Sequence, residues 1–244
     1  AKYGGFGAGT KFPRPVVLNF LFRYHARTHT AEPLNMALAT LRSMALGGMY
    51  DHLGGGFHRY SVDAQWRVPH FEKMLYDQAQ LANSYLDAYQ ITHDEFYARI
   101  ARETFDYVLR EMTDSGGGFY SAEDADSPDP ERPSHSSEGA FYLWTKAEIE
   151  GVLDSDSARL FCHHYGVDEH GNALSDPLGE FKNKSIFFNS FTLGQTANIF
   201  SMDETKIEVV KDILKLGGMQ KVEKELNAMQ QWNCNFWPLY GVFQ

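Results

Sequence analysis

Cysteine, positive charge and long apolar runs are all scarce in this sequence of 244 residues. Its two cysteines, Cys162 and Cys234, form no Cys-x-x-Cys pair, which argues against a disulfide framework and fits a reducing compartment. The net charge of −10 at pH 7, with no basic cluster, argues against a nucleic-acid partner. No apolar run approaches the roughly 20 residues that a membrane-spanning helix needs, so no membrane is expected as a partner.

What the sequence does contain is typical of a soluble globular protein with a substantial core. Hydrophobic residues make up 43% of the chain and charged residues 22%. The cytoplasm and the mitochondrion both fit the cysteine count, and secretion fits it too, so the composition leaves the compartment open. The chain begins at Ala1 without a methionine or a signal-like stretch, and we expect it to be a fragment or a truncated form of a longer protein.

A short motif recurs along the first half of the chain. Gly-Gly-Phe ends at Phe6, Phe57 and Phe119, at intervals of 51 and 62 residues, and two segments of helical periodicity fill each interval. A period of this length with two helices per unit is typical of an array of helical hairpins. The repeat therefore predicts an all-α fold in which the three motifs lie at the same end of the helices.

Apolar residues at helical spacing mark the individual helices. One helix is expected after Pro15, one after the cap at Thr30, one from Pro69 and one from Asp94. In the second half, residues 118–122 are expected to pair with 138–144 as a small β-hairpin. Further helices are expected from the capping box Thr145-x-x-Glu148, at 156–165, from Asp203 and at 219–229, and an apolar patch is expected near 232–243.

The densest chemistry lies in residues 53–78, which hold two His, two Arg, one Lys, three carboxylates, two Tyr and a Trp. The stretch opens with glycines and closes at Pro69, a residue favoured at the first position of a helix. A loop that leads into a helix rich in ionisable side chains is typical of a pocket floor. The alternative is a polar turn before an amphipathic helix. At helical spacing, His70, Lys73 and Asp77 share one polar stripe.

Four long motifs show which family this sequence is similar to. They are GGFGAGTKFPRP at 4–15, GMYDHLGGGFHRYSVD at 48–63, WRVPHFEKMLYDQA at 66–79 and GGFYSAEDADS at 117–127. Together they closely resemble the spermatogenesis-associated protein 20 family. Members of that family carry an N-terminal thioredoxin-like domain, followed by a helical domain similar to six-hairpin glycosidases and N-acylglucosamine 2-epimerases.

The resemblance covers roughly residues 1–185 and implies an incomplete (α/α)6 toroid of helical hairpins with short β-hairpins at one end. We therefore expect a partial six-hairpin glycosidase-like domain at 1–185, with a divergent helical tail at 186–244 packed on it. No segment matches the thioredoxin-like domain, so no redox role follows, and no cofactor is expected. In the related sugar epimerases, histidines act as acid and base, but those histidines cannot be matched here residue by residue.

The residue types in this region suggest an acid–base site. A nearby carboxylate raises the pKa of a histidine and a nearby lysine lowers it, so His70 could be tuned near neutrality. Candidate catalytic residues are His70, Asp63, Asp77, Glu123 and Asp124, and candidate substrate-binding residues are Arg59, Tyr60, Trp66, Lys73, Tyr76, Gln78 and Trp144. We expect the charged members of this set to converge, with Glu123 and Asp124 approaching from the next repeat.

Each of these residues also has a structural alternative. The ionisable groups could form an ion network at a helix start, the loop acids could cap helices, and the aromatic residues could belong to the core. Gln78 falls in an apolar stripe and could tie helices together. Two metal-like spacings, His25-x3-His29 and Cys162-His163-His164 with His170, lack a complete ligand set, so no metal site is expected.

Two functions stay open at this point. The first is a sugar epimerase-like or glycosidase-like domain that binds a carbohydrate, in a protein associated with spermatogenesis and fertility. The second is a non-catalytic helical scaffold that binds a protein partner. Whether the chain is an enzyme is left undecided by its sequence.

Overall fold

The computed structural model describes residues 2–129, 132–174, 176, 179 and 181–229. These residues form eight helices and eight short strands, and they divide into two compact units. The first unit contains the residues up to Asp51 together with Gly55–Ala125, and the second contains His52–Gly54 together with the residues from Asp126 onward. The prediction of a helical fold is confirmed, while the proposed division at residue 185 stays a prediction.

Four helices of the first unit form two hairpins. They are α1 (Pro15–Thr28), α2 (Ala31–Leu46), α3 (Leu75–Thr92) and α4 (Glu95–Glu111). Two residues connect the helices of each pair, a length that makes them antiparallel neighbours. The two connections are alike, because His29 and His93 both take the left-handed conformation and end their helices with a backbone hydrogen bond. This likeness supports the hairpin repeat.

The core of the first unit lies between these helices and the loop that joins α2 to α3. Leu18 from α1, Leu41 from α2 and Leu81 from α3 are fully buried together with Phe57 and Trp66 from the loop. Burial of each such side chain contributes about 1.5–3 kcal/mol. The loop is therefore part of the core and does not simply lie over it. Its polar residues are held in fixed positions as a result.

Two loops of the first unit meet at one end of the hairpins. Strand β1 (Tyr60–Ser61) pairs with β2 (Pro69–His70), and β3 (Lys73–Met74) pairs with β4 (Ala122–Glu123), which follows α4. The N–H of Leu75 also donates to the Ser121 carbonyl at 2.9 Å. The loop after α2 and the loop after α4 are thus adjacent, as the repeat predicted for the motifs at Phe57 and Phe119.

The prediction that α3 begins at Pro69 is wrong. Pro69 and His70 form an extended strand, and the helix begins at Leu75. The extended conformation is held by cross-strand pairing of Tyr60 with His70 and of Lys73 with Glu123, contacts that helical periodicity does not reveal. His70, Lys73 and Asp77 therefore do not share one face of a helix.

The second unit has its own helices, strands and core. Its helices are α5 (Lys146–Val152), α6 (Ser155–His164), α7 (Leu193–Phe200) and α8 (Thr205–Met229), and its strands are β5 (Asp126–Asp129), β6 (Arg132–Glu138), β7 (Trp144–Thr145) and β8 (Lys184–Ser185). The capping box of Thr145 and Glu148 is confirmed at the start of α5. Ile149, Phe161, Val210 and Leu214 lie in the core.

Three expectations for the second half of the chain have different outcomes. The pairing of 118–122 with 138–144 is wrong, because β4 pairs with β3, β5 with β6 and β7 with β8. The two helices expected from Asp203 and at 219–229 form a single helix, α8. The apolar patch near 232–243 lies outside the described residues. Among the helices that are described, none combines the length and the apolar character needed to cross a membrane.

Candidate functional site

The candidate site is built on the paired strands β1 and β2 of the first unit. Tyr60 lies opposite His70 in the register, and the N–H of Arg59 donates to the Glu72 carbonyl at 2.8 Å. Directly opposed residues in an antiparallel pair project their side chains on the same face, so Tyr60 and His70 lie side by side. Arg59 joins them through its contacts with Glu72, although 13 residues separate Arg59 from Glu72.

Three aromatic rings lie next to one another at the site. The rings of Tyr60 and His70 stack with centroids 4.8 Å apart, and the centroid of the tilted Phe12 ring lies 4.8 Å from that of Tyr60. Phe12 is exposed, whereas Tyr60 and His70 are half-buried. Aromatic rings beside polar groups suit a ligand with one apolar face.

Glu72 is the anion at the centre of the cluster. One of its carboxylate oxygens, Oε2, lies 2.5 Å from Arg59 Nη1 and 3.8 Å from His70 Nε2. The hydrogen bond to Glu72 raises the pKa of Arg59 above its ordinary value. The guanidinium charge of Arg59 is thus neutralised by its ion pair with Glu72. The same carboxylate oxygen also faces the imidazole of His70.

Asp77 lies beside this ion pair, in the first turn of α3. It is only 7% exposed, and within the described part of the chain no donor lies within hydrogen-bond distance of its carboxylate. Burial raises the pKa of Asp77 to about 6, with Glu72 adding to the effect and the attraction of Arg59 opposing it. A buried carboxyl group without a hydrogen-bond partner is poised to gain and lose a proton near neutral pH.

Lys73 belongs to a separate, buried cluster. It is 1% exposed, its Nζ donates to Asp51 Oδ2 and to the Gly55 carbonyl, both at 2.9 Å, and it lies 4.2 Å from the centre of the Tyr107 ring. The Tyr107 hydroxyl in turn donates to Glu123, the residue opposite Lys73 in the strand pair. These contacts place Lys73 and Glu123 in a structural ion network that joins the two loops.

His58 lies between the two clusters. Its Nδ1–H donates to the Phe71 carbonyl at 3.0 Å, and its ring packs edge-on against Phe71. Burial, with the charge of Lys73 adding to it, lowers the pKa of His58 to about 3, and His70 also contributes to this lowering. His58 is therefore neutral at physiological pH and separates the buried lysine from the half-buried site.

Several predicted binding residues lie in the interior instead. Gln78 is fully buried, where its amide oxygen accepts from the Phe57 N–H at 2.8 Å and its amide nitrogen donates to the Phe57 carbonyl at 2.7 Å. Trp66 is also fully buried and donates to the Tyr3 carbonyl. Trp144 lies in the core of the second unit against Phe187. These positions fit the structural alternatives for the three residues.

The remaining predicted residues lie in three different environments. Tyr76 is exposed next to the site and shares a hydrogen bond with Arg59. Asp124 is exposed after β4. Asp63 accepts hydrogen bonds from the backbone N–H groups of Gln65 at 2.5 Å and Val68 at 2.6 Å, so it holds the turn between β1 and β2. Of the residues expected to converge, Asp77 lies within the influence of Arg59, and His70 reaches the same ion pair through Glu72, whereas Asp63 is engaged elsewhere by the backbone.

Replacing Asp63 by alanine should therefore cost stability without changing the site's chemistry. Loss of the carboxylate that accepts from these backbone N–H groups should lower the free energy of unfolding by about 1–2 kcal/mol in urea denaturation. Asp63→Asn keeps one acceptor oxygen and should recover part of this loss. A catalytic role for Asp63 would appear as the opposite pattern, with unchanged stability and lost ligand binding.

Sequence reasoning missed Glu72, His58 and Asp51 as members of these clusters. All three stand within the long motifs, but nothing in their spacing shows that Glu72 pairs with Arg59 or that Asp51 reaches Lys73 across 22 residues. The available signal was the alternation of charge in Arg59, His70 and Glu72, which becomes informative once the strand register is known.

Comparison with known proteins identifies relatives of this chain. It is 46% identical to spermatogenesis-associated protein 20 of Homo sapiens over 231 residues, which cover 88% of this chain and 29% of the relative. The sequences of the same name from Mus musculus and Rattus norvegicus are 46% and 45% identical. The chain thus spans less than a third of the length of these relatives. No protein-family model matches it.

Solved structures similar to the chain include two sugar epimerases. A sugar epimerase from a ruminal bacterium is 14% identical with a TM-score of 0.46, covering 90% of this chain and 66% of the epimerase. The cellobiose 2-epimerase of Spirochaeta thermophila is 16% identical with a TM-score of 0.46, covering 94% of this chain and 65% of that enzyme.

Proposed function

We propose that this chain, a homologue of spermatogenesis-associated protein 20, binds a sugar at the cluster of Arg59, Tyr60, His70, Glu72 and Asp77 and exchanges protons with it. The observation that carries this proposal is the state of Asp77. A nearly buried carboxyl with a pKa of about 6, and with no hydrogen-bond donor among the described residues, is destabilised in the resting protein. Such a group is typical of a catalytic acid or base rather than of a structural acid.

The proposed chemistry is isomerisation or epimerisation of an opened sugar. A base removes the proton from the carbon next to the carbonyl group, and an acid protonates the carbonyl oxygen, which gives an enediol. The proton then returns to the other face of the same carbon, or to the neighbouring carbon. As the carbonyl group re-forms, one enediol hydroxyl gives its proton back to the carboxylate, so both groups end in their starting protonation states. His70 is assigned the role of base and Asp77, which is protonated in a substantial fraction near pH 6, the role of acid.

A glycosidase mechanism is less well supported by the same residues. It needs two carboxyl groups free to act on opposite sides of one bond. Glu72 is bound by Arg59 at 2.5 Å, which leaves Asp77 as the one carboxyl of the cluster without a hydrogen-bonded partner among the described residues. One acid with a neighbouring histidine fits proton exchange better than glycosidic bond cleavage.

Replacing His70 by alanine tests the site directly. Because His70 is half-buried and stacks on Tyr60, the change should cost less than about 1 kcal/mol of stability but weaken sugar binding at least about tenfold. Thermal melts and calorimetric titrations with aldohexoses measure the two effects. His170→Ala, an exposed histidine of the second unit, is the matched control. A loss of about 1–3 kcal/mol with unchanged binding would show a structural network instead.

A second candidate function is a scaffold that binds a protein partner. The observation in its favour is a stripe of exposed apolar residues on α1, formed by Val16, Phe20 and Tyr24 at intervals of four residues. Exposed apolar stripes of this kind are typical of interaction surfaces. The relatives' name associates them with spermatogenesis, and that association is compatible with either function.

A further inference from the structure

The charges of the candidate site do not balance, and this imbalance bears on which sugars can bind. The positive charge of Arg59 lies 2.5 Å from Glu72, and together they form a neutral pair. His58, which lies behind the pair, is neutral at physiological pH because burial lowers its pKa to about 3. Lys73 is fully buried and paired with Asp51 at 2.9 Å, so its charge is also compensated.

Asp77 is the uncompensated member of this set. It is 93% removed from solvent, being only 7% exposed, and among the described residues it has no hydrogen-bond donor. The attraction of Arg59 favours the charged form of Asp77, but burial outweighs that attraction. Above pH 6 the carboxylate is mostly ionised, and the site then carries an excess negative charge.

An ionised carboxylate is also restricted in the partners that it can take. It only accepts hydrogen bonds, so it binds groups that donate. A sugar hydroxyl can donate to it, whereas a phosphate or a carboxylate of a ligand has only acceptor oxygens at neutral pH. The missing partner of Asp77 is therefore a donor, and an anionic group near it would meet like charge in a poorly solvated place.

We infer that Asp77 is the specificity-determining residue of the site, and that it makes the site accept uncharged sugars and reject their phosphorylated and carboxylated forms. This inference rests on the proposed sugar site and adds the class of ligand to it. An anionic ligand group at the start of α3 is disfavoured for the same reason, because Asp77 already lies in the first turn of that helix.

The test compares matched ligands that differ only in charge. Glucose, mannose and galactose are titrated calorimetrically at pH 7.5 against the whole chain, each beside its 6-phosphate and its uronic acid. The neutral sugar should bind at least about tenfold more tightly than either anion, because an anionic group next to a poorly solvated carboxylate meets like charge that water screens little.

Two variants assign the effect to Asp77. Asp77→Asn has nearly the same shape without the charge. In this variant the dissociation constants of the neutral and the anionic sugars should differ by no more than about threefold. Asp106→Asn removes the same charge from an exposed position on α4 and should leave the ratio unchanged.

The outcomes separate the inference from the proposed function. If the anionic sugars bind the unaltered chain as tightly as the neutral ones, Asp77 does not set specificity, while the sugar site stands. If Asp77→Asn keeps the original ratio, the assignment to Asp77 fails in the same way. If no sugar in the set binds, the proposed function fails and the inference fails with it.

Discussion

Replacing Lys73 by methionine is expected to lower the free energy of unfolding by about 3–5 kcal/mol. The ammonium group lies 2.9 Å from both Asp51 Oδ2 and the Gly55 carbonyl, and it packs over the Tyr107 ring. Methionine has a similar length and fills the space, so the loss comes from leaving Asp51 charged and largely buried without its partner. The pair joins Asp51, in the loop after α2, to strand β3, which pairs with β4 after α4. Loss of the pair therefore weakens the attachment of both loops.

Guanidinium denaturation at pH 7 measures this effect, and two further variants show its origin. Lys146→Met removes an exposed lysine that lies 3.8 Å from Glu150, and it should change stability by no more than about 1 kcal/mol. Adding Asp51→Asn to Lys73→Met removes the stranded charge and should restore part of the loss. A loss below about 1 kcal/mol for Lys73→Met alone would mean that the buried pair contributes nothing.

Replacing Asp77 by asparagine is expected to stabilise the protein and to remove its activity. Turnover of a sugar substrate should fall by about 10²–10⁴-fold, the usual contribution of a general acid. The folded-state pKa of Asp77 is about 6 against an ordinary value of 3.8, so ionisation opposes folding. This penalty is absent below pH 3.8, grows as the pH rises towards 6 and stays constant above, where it amounts to on the order of 1–3 kcal/mol.

Thermal melts across pH 3.5 to 8 check the stability part of this prediction, a range of about two units on either side of the folded-state pKa. The asparagine variant should melt higher than the unaltered chain at pH 7.5, and the two should converge near pH 4. Loss of a favourable charge at the start of α3 opposes the gain, but only by about 0.3–1 kcal/mol. Asp106→Asn, at an exposed position, should show no such pH dependence. A variant that is less stable at every pH would identify Asp77 as a structural acid.

The helices of the first unit could be predicted from the sequence because their signals are local. Pro15 at the start of α1 and the cap at Asp94 before α4 each act within a few residues of their position, as does the capping box at Thr145 in the second unit. The hairpin repeat could be predicted from the recurring Gly-Gly-Phe motif and the two segments of helical periodicity in each interval, and the equivalent turns at His29 and His93 agree with it.

The strands and half of the site could not be predicted because they depend on long-range pairing. Pro69 is as acceptable at a helix start as in an edge strand, and only its pairing with Ser61 decides between them. Arg59, His70 and Asp77 were selected by residue type, but Glu72, which holds Arg59, and the burial of Lys73 follow from the register of the two strand pairs. Gln78 and Trp66, which were predicted to bind substrate, are instead fully buried in the interior.

The titration of the Asp77 side-chain carboxyl carbon, followed by carbon-13 NMR and assigned with Asp77→Asn, tests the central claim most directly. A midpoint near pH 6 would show that burial of the carboxyl group outweighs the attraction of nearby positive charge, as the proton-exchange site and its selectivity for neutral sugars both require. A midpoint near the ordinary value of 3.8 would show that Asp77 is solvated or paired, and it would contradict the account.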